Sequence, residues 1–177
     1  MQRRTLLTLG VASATLLAAV GAGLSLIRPG LAHGRLTQSG RDVLAAIAGA
    51  ILEDALPKDA PAKQLALQAH LGRVDATIEG LPPHLQAELG ELLTVLASAP
   101  GRRLLAGLAS EWPTASIDEL QQALRDMRYS ALALRQQAYH ALRDLTHAAY
   151  FSHADAWAYL GYPGQLSVPA AAMKEGA

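Results

Sequence analysis

The chain has 177 residues, 15 basic and 15 acidic side chains, a formal charge of zero, and no cysteine. The neutral balance excludes a generally basic, phosphate-seeking surface, so no nucleic-acid partner is expected. The missing thiol excludes disulfides, zinc knuckles, iron–sulfur clusters and thiol nucleophiles.

The zero is a sum of two unlike parts. Residues 1–32 carry Arg3, Arg4 and Arg28 and no acid, a balance of +3, while residues 33–177 hold 12 basic and 15 acidic side chains, a balance of −3. Between Arg4 and Arg28 run 23 uncharged residues, Thr5 to Ile27, rich in Leu, Ala, Val and Gly. A basic start, an apolar run and a small-residue site are the parts of a signal peptide. Gly30-Leu31-Ala32 supplies small residues ahead of a cut that would free His33.

The pair Arg3-Arg4 followed by Thr5-Leu6-Leu7 resembles a twin-arginine (Tat) leader, with Gln2 where Ser or Thr is usual and Thr8 where Lys is often found. Gly10, Gly21 and Gly23 soften the apolar run, and Arg28 precedes the cut, both in keeping with Tat export. An ordinary secretion signal and an uncleaved anchor are the rival readings, since the uncharged run is long enough to span a bilayer. The chain thus divides into a leader or anchor, 1–32, and one helical domain, 33–177. The leader predicts a periplasmic protein, delivered by the Tat translocase to the periplasmic face of the inner membrane.

Residues 33–177 lack sustained alternation and are rich in good helix formers, which predicts an all-α fold: an irregular bundle of about five to six helices after the N-terminal signal or anchor helix. Ser39 is placed to cap a first helix carrying Val43, Leu44, Ile47, Ile51 and Leu52, stopped by Pro57. A second begins near Pro61 and turns Leu65, Leu67, Leu71, Val74 and Ile78 inward before Gly80. A third opens at Pro83, buries Leu85, Leu89, Leu92, Leu93 and Leu96, and closes at Pro100-Gly101. A short fourth segment covers Arg102 to Trp112. Ser116 and Glu119 then form an S-x-x-E capping box ahead of an apolar repeat reaching Ala148. An unbroken helix to Ala149 would be about 50 Å long, so a break is expected near Tyr129-Ser130. A coiled coil is the competing interpretation of that repeat.

No catalytic constellation is visible. His140 and His147 lie two helical turns apart with no H-x-x-x-H or H-E-x-x-H spacing, so no metal site is expected. Gly21-Ala22-Gly23 sits in the leader and follows no strand, and neither a P-loop nor G-x-S-x-G occurs. Glu53-Asp54 at a helix end is read as a solvated pair.

The aromatic residues are unevenly placed. None precedes Trp112, yet five of the eight fall between Tyr150 and Tyr162: Tyr150, Phe151, Trp157, Tyr159 and Tyr162. Ser152 can cap a short helix there, Gly161 can end it, and Tyr162-Pro163-Gly164 forces a tight turn. Such a knot is either a plug between helices or a docking surface, with Trp157 inward and some of Tyr159 and Tyr162 outward.

That segment, with the leader, resembles the small (gamma, or subunit 3) component of gluconate 2-dehydrogenase-type complexes. The matching stretches are Glu53-Asp54-Ala55-Leu56-Pro57, Arg73-Val74-Asp75, Pro100-Gly101-Arg102-Arg103 and Trp112. They continue with Leu124-Arg125-Asp126-Met127-Arg128, Ala149-Tyr150-Phe151, Trp157 and Gly161-Tyr162-Pro163-Gly164. The resemblance implies a non-enzymatic accessory subunit of a membrane-associated complex. It would bind, help mature and escort a large flavoprotein of the glucose–methanol–choline (GMC) class that carries the FAD. A cytochrome c subunit is a common further member. No cofactor is expected on this chain, and the partner interface is expected at Tyr150, Phe151, Trp157, Tyr159, Tyr162, Pro163 and Gly164. The alternative is an independent periplasmic helical protein that binds a small ligand or lipid through the same aromatic segment.

Overall fold

One helix with almost no polar side chain beyond its first turn sets the architecture. The computed structural model describes residues 28–159 and 161, and α1 occupies Gln38–Ile51. Val43, Leu44, Ile47, Ala48, Gly49 and Ala50 are all buried along it. A helix that is apolar all round has no face to give to water and must be enclosed by its neighbours. Its neighbours are α2 (Ala60–Glu79), α3 (Pro83–Ala97), α4 (Ile117–Arg128) and α5 (Ala133–Phe151), each of which packs on α1. A short α6 (Ala154–Tyr159) folds against the end of α5. The fold is all-α, as the composition predicts: among the described residues it is a bundle of five long helices with shorter helical pieces.

The core runs through every long helix: Val74 and Ile78 from α2, Leu93 and Leu96 from α3, Met127 from α4 and Leu142 from α5 surround Leu44 and Ile47. Burying each of these side chains is worth about 1.5–3 kcal/mol.

Several ends follow the sequence rules. Asp59 caps α2 by accepting from the Ala62 N–H at 3.1 Å, and Gly80 closes it. Pro83 is the first residue of α3. The capping box of α4 is complete: the Ser116 hydroxyl accepts from the Glu119 N–H at 3.3 Å, and the Glu119 carboxylate accepts from the Ser116 N–H at 2.8 Å. The Ser116 N–H, together with the Ser110 and Ser116 hydroxyls that also donate to it, holds the Glu119 carboxyl below the usual carboxylate range. The break between α4 and α5 falls at Tyr129–Leu132.

Other expectations need correction. Thr37, not Ser39, caps α1, accepting from the Gly40 N–H at 3.3 Å, while the Ser39 hydroxyl donates to the Pro29 carbonyl at 2.9 Å. Leu65 is 69% exposed, because the inward stripe of α2 passes through Leu67, which packs on Leu52 and Leu56, then Leu71, Val74 and Ile78, and position 65 lies off it. Pro100-Gly101 does not stop the chain's winding. A helical turn, Ala99–Gly101, runs on into a π-helical stretch, Arg102–Ala106, ended by Gly107 at φ 74°. The segment expected to reach Trp112 therefore stops at Ala106. Beyond it the buried Trp112 indole N–H donates to the Leu96 carbonyl at 2.8 Å, fastening the loop to α3.

An antiparallel hairpin not expected from the sequence precedes α1. Strands β1 (Leu31–Ala32) and β2 (Arg35–Leu36) pair Leu31 with Leu36 and Ala32 with Arg35. The two loop residues, His33 (φ 52°) and Gly34 (φ 75°), have the positive dihedrals of a type I′ turn. The hairpin is tied to the bundle by buried polar contacts. Asp75 of α2, only 8% exposed, accepts from the Leu36 N–H at 2.8 Å and from the Arg41 guanidinium. The Gly30 N–H donates to the Thr94 hydroxyl of α3 at 2.8 Å, and the Gly30 carbonyl accepts from the Thr37 N–H at 3.1 Å.

Two predictions follow from this corner. A methyl at Gly40 would lie 2.1 Å from the Gly30 carbonyl oxygen, whereas one at Gly72, in mid-α2, meets nothing within 4 Å. Thermal or urea unfolding is expected to show Gly40→Ala destabilised by about 1–3 kcal/mol and Gly72→Ala stabilised by roughly 0.5–1 kcal/mol. Asp75→Ala leaves the Leu36 N–H unpaired and is expected to cost about 2–4 kcal/mol by the same assay. Asp75→Asn keeps an acceptor and is expected to lose less than half as much.

Candidate partner-docking site

The described part of the aromatic segment is assembled by the way α5 ends. The last four carbonyls of a helix have no partner within it and must find one elsewhere. Here each is satisfied. The Ala148 carbonyl accepts from the Ser152 N–H at 3.1 Å, and the Tyr150 carbonyl from the His153 N–H at 3.5 Å. The Ala149 carbonyl accepts from the Arg73 guanidinium of α2 at 3.2 Å and from the Ser152 hydroxyl at 2.9 Å. The Phe151 carbonyl accepts from the Trp157 indole N–H at 2.9 Å. The last contact folds α6 back on α5, and the Arg73 cation sits where the helix dipole is negative.

Three of the predicted residues are thereby brought together. Tyr150 is half-buried against the small core formed by Ala48, Leu52 and Leu56. Its ring meets Phe151 edge-on at 5.2 Å, a favoured aromatic geometry. Phe151 also faces His147 at 5.9 Å. Phe151 and Trp157 are half-buried in turn, so all three aromatics keep surface on the outside of the bundle. The two opposing expectations for this segment, plug and docking surface, thus share its residues. Tyr150 fills space between α1, α2 and α5 with one face only. Ser152 turns its hydroxyl back to Ala149. Gly161 has φ 66°, a left-handed conformation suited to ending a helix. Tyr159 is the last residue of α6. Tyr162, Pro163 and Gly164 lie outside the described residues, as do Arg3, Arg4 and the apolar run of the leader.

Three neighbours complete the surroundings: Arg73 and Asp75, named in the sequence only as part of a matching stretch, and His70, not singled out there. Arg73 and Asp75 flank buried Val74, and the pair ties α2 in two directions: Arg73 to the end of α5, Asp75 to the hairpin. His70, one turn before Val74, is 1% exposed, 6.4 Å from the Tyr150 ring, and its Nδ1 has no hydrogen-bond partner among the described residues. Burial, and secondarily the Arg73 charge, push its pKa down to about 4. The i, i+4 spacing of His70 and Val74 along an inward stripe was the available signal.

Among the described residues no group of three His, Cys, Asp or Glu side chains could hold a metal ion, and no helix is long and apolar enough to cross a membrane. His140 is exposed and His147 half-buried beside Phe151. No protein-family model, curated protein or solved structure matches the chain.

The buried neutral His70 gives the site a pH signature. Its folded-state pKa lies below the ordinary 6.5, so between 6.5 and about 4 the unfolded chain takes up a proton that the folded chain refuses. Stability contributed by the neutral imidazole is therefore present above pH 6.5 and declines as the pH falls toward 4. Urea midpoints across that window are expected to show the parent losing roughly 3 kcal/mol more than His70→Leu.

Proposed function

We propose that this chain is a non-catalytic accessory subunit that binds and escorts a large FAD-dependent GMC-type dehydrogenase of the gluconate 2-dehydrogenase kind. The observation that carries the reading is the end of α5. There the Trp157 indole is held by the Phe151 carbonyl, and the Tyr150 and Phe151 rings meet edge-on, while each of the three keeps exposed surface. Aromatic residues fixed in this way are effective interface anchors, because little side-chain freedom remains to be lost on docking. Tyr159 and the Tyr162-Pro163-Gly164 turn continue the same run of sequence.

The leader supports the same reading. Tat moves folded proteins, an advantage for a flavoprotein that must take up FAD before export, and of little use to a helical chain with no redox group of its own. An Arg3-Arg4 leader on the small subunit would serve both chains. The periplasm, a membrane-associated complex and a cytochrome c subunit as electron acceptor complete the proposal, with FAD and catalysis on the large subunit. The alternative of an independent ligand-binding protein differs in requiring no partner for export or solubility.

Replacing Arg3 and Arg4 together by Lys in the producing cell is expected to leave this chain in the cytoplasm and the partner's dehydrogenase activity with it. Fractionation followed by dye-linked dehydrogenase assay and blotting reads both. Activity that still reaches the periplasm while this chain stays behind would refute the escort role.

A further inference from the structure

On another face of the bundle, α1, α4 and α5 leave an open groove of about 200 Å³. Its apolar part is formed by Ile51, Leu124 and Tyr139, and Arg125 and Arg128 stand along it. Neither arginine has a carboxylate partner among the described residues. The Arg125 guanidinium contacts only the Gln122 amide oxygen, at 2.8 and 3.2 Å, and Arg128 lies 5.1 Å over the ring of Tyr129. The acids nearby are engaged with amides instead: Glu53 accepts from Gln121 at 2.7 Å and Asp126 from Gln122 at 2.8 Å. Beyond Arg128, the α4–α5 corner presents two of the most exposed large apolar side chains of the described residues, Tyr129 at 74% and Leu132 at 64%.

We infer that this corner, from the Arg125–Arg128 groove to Tyr129 and Leu132, is a second docking surface, and that its occupant is an acidic, partly apolar segment of a partner protein. Charge decides the sign. In a body with a balance of −3, two unneutralised guanidiniums on adjoining turns of one helix select carboxylates. Arginine forks bind carboxylates bidentately. Size decides between a small molecule and a protein segment. Small-ligand sites are usually enclosed clefts of about 300–1,000 Å³ that bury most of the ligand. This groove is smaller and open, and the exposed Tyr and Leu continue the contact area past its mouth. Arg and Tyr beside an apolar floor are the composition of an interface hot spot. The assignment stands apart from the aromatic end of α5 and from the identity of any flavoprotein.

The chain lacks cysteine, so Ala131→Cys, at an exposed position between Tyr129 and Leu132, carries a single environment-sensitive fluorophore on the full chain. A short capped peptide alternating Glu and Leu is expected to give a saturable, salt-sensitive signal. Its Gln-for-Glu counterpart is expected to bind about tenfold more weakly or worse. Arg125→Gln with Arg128→Gln should abolish the difference, while Arg125→Lys with Arg128→Lys should restore part of it. All four substitutions are at exposed positions, and circular dichroism confirms folding. Equal binding of the two peptides, or an undiminished preference in the double Gln variant, would overturn the proposal. So would benzoate saturating the groove as tightly as the acidic peptide, since the site would then be one for small organic acids.

Discussion

The interior of α1 is the constraint on which the rest of the bundle depends. A segment that reads Val-Leu-Ala-Ala-Ile-Ala-Gly-Ala-Ile offers water no polar side, so α2, α3, α4 and α5 must each give it a face. The small residues matter as much as the large ones. Ala48, Gly49 and Ala50 let neighbouring helices approach, while Val43, Leu44 and Ile47 fill what lies between. The ends of the bundle are then fixed by polar ties rather than apolar area. Asp75 holds the entry into α1, Arg73 the exit from α5, and the Trp112 indole the loop after α3. Buried polar groups of this kind add little net stability when satisfied but cost a great deal when one partner is lost, so they define geometry more than they deepen the energy well.

What the sequence made legible was whatever depends on local rules. Pro83, Pro61 and the Ser116–Glu119 box all act within a few residues of themselves, and those helix starts were readable or nearly so. Thr37 displaced Ser39 as the cap of α1 because Ser39 has a distant partner in Pro29, which no local rule contains. The hairpin was missed for a related reason. Two-residue strands leave no periodicity, and these are tied down from far along the chain, by Asp75 accepting the Leu36 N–H and Thr94 accepting the N–H of Gly30 just before β1. Leu65 failed in the other direction: Leu67 two residues on takes the inward position on α2, and Leu65 is left facing out.

Of the candidate site, the clustering of aromatics was plain in the sequence, and its orientation was not. That Tyr150 lies half inside while Trp157 reaches back to the Phe151 carbonyl follows from the end of α5 meeting α2, a tertiary fact. His70 shows in the sequence only through its i, i+4 spacing to Val74, and its burial is again a tertiary fact. The division of charge between residues 1–32, at +3, and residues 33–177, at −3, gains meaning from placement as well. Arg125 and Arg128 of α4, without a carboxylate partner among the described residues, stand out against a body whose balance is negative.

The hairpin bears on the signal-type cut that the sequence leads one to expect. The bond between Ala32 and His33, where a signal-type cut would fall, sits at the tip of a paired turn. Gly30 and Leu31, on the leader side of that bond, are bound to Thr37, Thr94 and Leu36 on the other. Severing it in a folded body would make a nick instead of a trim. The stub would remain lodged against α3 by its own hydrogen bonds, and whatever it was joined to would stay attached without a covalent link.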